Sequence, residues 1–138
     1  MDWKLQLIVV PVSDVDRSKA FYLERAGFAL DVDHRAGDDF RVVQFTPPGS
    51  ACSIALMENG AAAGSAKGLH LVVTDIDAAR AELVARGVEV GEPFHFELET
   101  GAQSSGPDPK HADYNSFLTF DDPDGNQWMV QEVGRAAS

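Results

Sequence analysis

The chain repeats itself. "VSDVD" at 12–16 returns as "VTDID" at 73–77, an offset of 61 (12 to 73), and the match runs on through Ala20 and Ala81 to Arg25 and Arg86. One extra residue in the first copy then brings Gly27 opposite Gly87. A duplication of this kind constrains the fold more than any composition, because whatever unit the first copy forms the second is expected to form as well.

Each copy has the same grammar. An apolar run (Leu7 to Val12, then Leu69 to Val73) leads to an aspartate suited to cap a helix (Asp14, Asp75). About three turns of helix follow, closed by a glycine. The next stretches, Phe28 to Val32 and Val88 to Val90, read as extended. Farther on, "RVVQFTPPGSACSIALM" and "SFLTFDDPDGNQWMVQEV" each give a strand, a Pro/Gly turn and a strand, with Phe45 opposite Phe120 and Gly49 opposite Gly125. "DDPDG" is a strong turn, since Pro fixes one backbone angle and Gly accepts positive φ.

The reading is therefore an α+β fold of two tandem β-α-β-β-β modules, about 3–59 and about 67–133, within one domain over 1–138. The small-residue stretch "GAAAGSAKG" (60–68) joins them. A helix covers one face of each small sheet and leaves the other bare. Two such modules are expected to form a curled mixed sheet around a cavity.

Composition limits the partners. With 44% hydrophobic residues, 138 residues are enough for one cored domain. Eleven Lys and Arg against 22 Asp and Glu leave a formal net charge of -11, which repels nucleic acid and anionic membranes. No long apolar span or secretion-signal pattern is seen, and the lone Cys52 has no internal disulfide partner. A cytoplasmic location is expected.

The paired modules, "PVSDVDRSKAFYLERAGF" and the "DPDGN" turn before the last strand resemble the vicinal oxygen chelate superfamily of glyoxalases, bleomycin-resistance proteins and extradiol dioxygenases. The resemblance covers roughly residues 3 to 133. It implies a cavity-forming fold, dimers built by edge-to-edge pairing of modules, and either metal-dependent catalysis or metal-free drug sequestration. In the enzymes, His, Glu or Gln ligands sit on the inward faces of the first and last strand of each module. Here the family's spacing lands on Leu7, Gly68 and Met129, and the repeat alignment adds Ser53 opposite Met129. None suits a catalytic divalent ion, which needs about three N, O or S donors. No metal and no cofactor are expected.

Alternation of side chains along strands places Leu7, Val9, His70, Val72, Met129 and Gln131 together with Gly68 on the cavity side. Ser53, Gln127 and the rim residue Tyr114 complete the candidate ligand-binding set. His70 lies two positions beyond Gly68 and is the candidate catalytic group, against the plainer role of a hydrogen-bonded wall residue. His34 reads as an exposed edge or loop position. In "PFHFEL" either His95 or the pair Phe94 and Phe96 faces the cavity. His111 falls in a polar insertion, about Glu97 to Asn115, read as a long loop without a counterpart in the first half. Cys52, assigned to the fourth strand, reads as a buried, inert thiol, and Trp128 as a residue packed against a helix.

Two functions follow. A small-molecule-binding protein without the usual metal site would hold a mostly apolar ligand by burial and a few hydrogen bonds. Alternatively, a lyase, isomerase or dioxygenase-type enzyme would use His70 as base or relocated metal ligand. A homodimer is expected in either case, because an open sheet edge needs protection.

Overall fold

The computed structural model describes residues 1–135, which form two compact units. The first comprises Met1–Ala66 together with Asp122–Asn126, and the second comprises Lys67–Asp121 and the chain from Gln127 onward. Among the described residues no helix is long and apolar enough to cross a membrane.

In the first unit, β1 (Leu7–Val12) leads to α1 (Val15–Ala20), followed by β2 (Ala29–Ala36), β3 (Phe40–Thr46) and β4 (Ser53–Glu58). The sheet order is β1-β4-β3-β2, with β1 parallel to β4 and the other pairs antiparallel. This is the β-α-β-β-β unit that the repeat predicts. Asp14 caps α1 as expected, its carboxylate accepting from the Arg17 N–H at 3.1 Å.

The extra residue of the first copy has a structural destination. After Ala20 the helix widens into a π turn, Phe21–Arg25, in which the Ala26 N–H donates to the Phe21 carbonyl. A π turn accommodates one more residue than an α turn, so the inserted residue is absorbed within the helix. The helix thereby keeps Val15, Ser18, Tyr22 and Ala26 on its buried face.

That helical face packs on one side of the sheet, where Val10, Val12, Val43, Phe45, Ile54 and Leu56 are at most 4% exposed. Each such side chain contributes about 1.5–3 kcal/mol on burial. The Tyr22 ring lies 5.7 Å from Phe28 and 6.1 Å from Phe45. Against the sequence reading, Cys52 precedes β4 and is only half-buried.

The "DDPDG" turn, although it follows β8 in the chain, groups with the first compact unit. Asn126 donates from Nδ2 to the Pro11 carbonyl at 2.8 Å and accepts from the Ala66 N–H at 3.0 Å. Arg17 reaches the Asp124 carboxylate at 3.0 Å, and Asp124 also accepts from the Ser13 N–H at 3.0 Å. The side chains of the turn thus join it to both backbone and side chains of the first unit.

The second unit contains β5 (Leu69–Val73), α2 (Ile76–Ala85), β6 (Phe94–Phe96), β7 (Gln103–Ser105), β8 (Phe117–Asp121) and β9 (Gln127–Glu132), with sheet order β5-β9-β8-β6-β7. Asp75 caps α2 through the Ala78 N–H at 3.0 Å. Ile76, Ala79, Arg80 and Leu83 form its more buried stripe, at the i, i+3, i+4, i+7 spacing of a helix lying on a sheet. The covered side of the sheet holds Leu118, Phe120, Trp128 and Val130, all at most 3% exposed, and the Phe120 and Trp128 rings stack at 6.1 Å. Trp128 thus lies on the helix side, as alternation predicts.

Two expectations fail in this half. Val88 to Val90 does not form a strand; only an isolated bridge between Val90 and Phe120 remains. The 97–115 insertion is not a structureless loop, since β7 lies within it and pairs antiparallel with β6. Sequence alternation over three residues is too short to reveal such a hairpin.

Candidate functional site

Each unit presents a sheet face that its helix does not cover. In the first, β1 and β4 run in register with Leu7 beside Ser53, Val9 beside Ala55 and Pro11 beside Met57. Gln44 and Val32 extend the row across β3 and β2. Val9 is 52% exposed and Met57 36%, whereas the residues of the helix side are fully packed. An apolar strand surface left open in this way is a place where a ligand or a partner gains burial.

In the second unit, His70 pairs with Met129 and Val72 with Gln131, and Thr119 and Phe117 continue these rows on β8. Val72 is 68% exposed. Phe94 pairs with Phe117 and stacks on it at 5.5 Å, and Phe96 meets the Phe117 ring edge-on at 5.6 Å. The alternatives for "PFHFEL" are thereby resolved: the phenylalanines share the uncovered face and His95 points away. His95 is 7% exposed, its Nδ1 donating to the Gly106 carbonyl at 2.7 Å and its Nε2 lying 3.2 Å from Glu97.

All the candidate strand residues thus lie on uncovered faces: Leu7, Val9 and Ser53 on the first, and His70, Val72, Gln127, Met129 and Gln131 on the second. Tyr114 lies at the margin of the second, its side chain exposed and its carbonyl accepting from Gln131 Nε2 at 3.2 Å. Sequence reasoning did not single out Gln44, Thr46, Thr119 or Phe117 for these faces. The signal was available in the alternation of β3 and β8, once it is known which residues of β4 and β9 share the uncovered face. His34 is exposed on the edge strand β2, as expected.

Register corrects one equivalence. Val12 pairs with Glu58 and Val73 with Glu132, so the position of β9 that corresponds to Ser53 is Gln127, and Met129 corresponds to Ala55. Gly49 and Gly125 occupy turns of different length, which misled the repeat alignment by two residues. Carried through this register, the positions that the resemblance assigns to metal ligands become Leu7, Ala55, Gly68 and Met129. These do not fit a divalent ion: two side chains offer only carbon, one residue has no side chain, and the thioether is a weak, soft donor. Among the described residues no three His, Cys, Asp or Glu side chains are grouped so as to hold a metal.

His70 is exposed, and its Nδ1 lies 2.6 Å from the Gly68 carbonyl. A carbonyl only accepts, so Nδ1 carries the proton and a neutral ring presents Nε2 as a lone pair. His111, the other histidine of this region, is held in the left-handed region at φ 49° and contacts the buried Glu132 carboxylate at 2.7 Å. It is committed to fastening its loop.

The profile of the Glyoxalase/Bleomycin resistance protein/Dioxygenase superfamily matches residues 4–130. The chain belongs to this superfamily. Among solved members of the glyoxalase/bleomycin resistance fold, it is similar to TnmS3, an antibiotic binding protein from Streptomyces sp. CB03234. The two are 32% identical, with a TM-score of 0.73 and coverage of 96% of this chain and 98% of that one. A glyoxalase/bleomycin resistance protein from the same organism is 33% identical at a TM-score of 0.69, covering 94% and 100%. YetH of Bacillus subtilis is 25% identical over 129 residues, 91% of this chain and 94% of YetH.

Proposed function

We propose that this member of the superfamily binds a mostly apolar small molecule against its uncovered sheet faces, without the divalent metal used by the enzymes, and does so as a homodimer in the reducing cytoplasm. The observation that supports the reading is the chemistry of Leu7, Ala55, Gly68 and Met129, which occupy the positions that the resemblance assigns to metal ligands and offer no strong donor, on faces with exposed apolar residues. Phe94, Phe96 and Phe117 supply aromatic surface, and His70, Gln127 and Gln131 supply hydrogen bonds that orient a ligand. Similarity to an antibiotic binding protein over nearly the whole chain supports a sequestering role. The half-exposed valines support a dimer, since a second copy would bury them.

The test is metal content by mass spectrometry on untagged protein, before and after incubation with Ni, Co, Mn, Fe(II) and Zn, followed by titration with neutral aromatic probes. No metal above background together with saturable probe binding is expected. Stoichiometric metal that disappears in His70→Ala would overturn the reading.

A second reading rests on the His70 tautomer. With Nδ1 committed to the Gly68 carbonyl, Nε2 is free to act as a general base in a lyase or isomerase reaction. A hydride-free proton exchange at an activated C–H of a bound carbonyl compound, lost in His70→Gln with binding retained, would establish it.

A further inference from the structure

Asp31 lies on the uncovered face of the first unit, which it shares with His34 farther along β2. Between Leu30 and Val32 the pairing of β2 with β3 slips by a residue, and Asp31 is the residue that the bulge leaves over. Bulges re-aim side chains, and this one turns the Asp31 carboxylate onto the face shared by Val32, Gln44 and Thr46. Thr46 Oγ1 hydrogen-bonds Asp31 Oδ2, and Thr46 Oγ1 lies 2.6 Å from Ser53 Oγ. Gln44 Nε2 approaches the same carboxylate oxygen at 3.4 Å.

The protons in this chain are assigned by elimination. An ionised carboxylate only accepts, so Thr46 donates its single proton to Asp31. Thr46 then accepts from Ser53, and the Ser53 proton is committed too. The relay therefore runs in one direction, from Ser53 through Thr46 to Asp31, and both hydroxyl protons are used up inside it. What it presents to an incoming molecule is acceptor capacity ending in a full negative charge. Asp33, two residues on, lies on the opposite face and is neutralised by Lys19 and Arg41. Asp31, among the described residues, has no Lys, Arg or His within ion-pair distance.

A carboxylate on an apolar face becomes costly as soon as something covers that face, because a buried charge without a counter-charge loses its hydration. A cation that arrives with the cover removes this cost. We infer that Asp31 anchors a protonated amine on the ligand held by this face, with Thr46 and Ser53 positioning the carboxylate. The inference rests on the small-molecule-binding reading and adds a chemical class to it: an apolar body carrying an ammonium group. The overall charge of -11 favours the approach of such a cation.

Three probes on one skeleton test it by titration calorimetry: naphthalene-2-methylamine, naphthalene-2-methanol and 2-naphthoate, each with wild type, Asp31→Asn and Thr46→Val. In wild type the amine is expected to bind about tenfold tighter than the alcohol, with the carboxylate weakest. Asp31→Asn should erase the preference by weakening the amine far more than the alcohol, and Thr46→Val should reduce the preference. If the alcohol binds and the amine binds no tighter, the anchor is overturned while the apolar reading stands. If no probe binds, both are overturned. Binding of the amine alone, lost in Asp31→Asn, supports the anchor and counts against a mostly apolar ligand. Weakened dimerisation in Asp31→Asn with the amine preference intact would make Asp31 an interface residue and overturn the assignment.

Discussion

The Tyr22 hydroxyl donates to the Asp122 carboxylate at 2.8 Å, joining two buried residues 100 positions apart. Asp122 is fully engaged: Oδ1 accepts the Asp124 and Asn126 N–H groups, and Oδ2 accepts Asn126 Nδ2 besides Tyr22. Tyr22→Phe removes one donor from a buried charged acceptor and should cost about 1.5–3 kcal/mol. Asp122→Ala should cost more, because it leaves several buried donors unpaired. Urea denaturation followed by tryptophan fluorescence checks both, since Trp128 lies just beyond the turn.

Gly64 sits against the same turn. A Cβ built there would lie 2.2 Å from the Asp124 carbonyl oxygen, and Gly64 has φ +82°, in the left-handed region. Gly64→Ala is therefore expected to destabilise by about 2–4 kcal/mol through steric conflict and backbone strain together. Gly37, also at positive φ but with open space around it, should tolerate alanine better, and the difference in thermal midpoint between the two variants measures the steric part.

Acid stability should depend on Asp33. Arg41 grips it with two hydrogen bonds at 3.0 Å and Lys19 adds a third at 2.7 Å. The Arg41 guanidinium, followed by Lys19, holds the Asp33 carboxyl well below the usual aspartate range. A depressed folded-state value contributes stability that is present above the unfolded value and is lost as pH falls through the folded one. Asp33→Asn should lower stability by about 1–2 kcal/mol at neutral pH and flatten the decline between about pH 4 and about pH 2. Denaturation midpoints across that range provide the check.

His95 has the opposite sign. Its hydrogen bond to the Gly106 carbonyl, then its contact with Glu97, raise it above the ordinary histidine value against the opposing effect of burial. The contribution is complete below the unfolded value and is lost as pH rises through the folded one. Amide protection in the β6–β7 hairpin, corrected for intrinsic exchange, should therefore fall by roughly a few-fold between about pH 6 and about pH 8. The Glu97 N–H bonded to the Ala102 carbonyl at 2.8 Å is a suitable reporter. His95→Gln should abolish the pH dependence.

Dimerisation is checked by light scattering. The wild type is expected at the mass of two chains, and Val72→Glu, which places a charge on the most exposed valine of the uncovered faces, should shift it toward one. A wild type at the mass of a single chain would remove the dimer from the proposed function.

Much of the architecture is legible in the residues. The repeat, the apolar runs Leu7 to Val12 and Leu69 to Val73, and the caps Asp14 and Asp75 rest on local chemistry and alternation, and all stand in the structure. That His70, Val72, Met129 and Gln131 share one sheet face follows from the same period of two. The hairpin of β6 and β7 was not legible, because three-residue strands carry too little periodicity. The Ser53 equivalence was misjudged because turn length, which alignment does not weigh, sets the register of a strand pair.

By itself, then, the sequence determined the duplicated β-α-β-β-β plan, since it depends on residue type and spacing along the chain. Only the tertiary structure decided that the 122–126 turn packs into the first unit through Tyr22 and Gly64, that His95 turns away from Phe94 and Phe96, and that a bulge aims Asp31 onto an apolar face. The physical reason is common to all three. Each is a long-range pairing or a one-residue slip in register, whose energy depends on what stands opposite, and linear spacing does not specify the opposite strand.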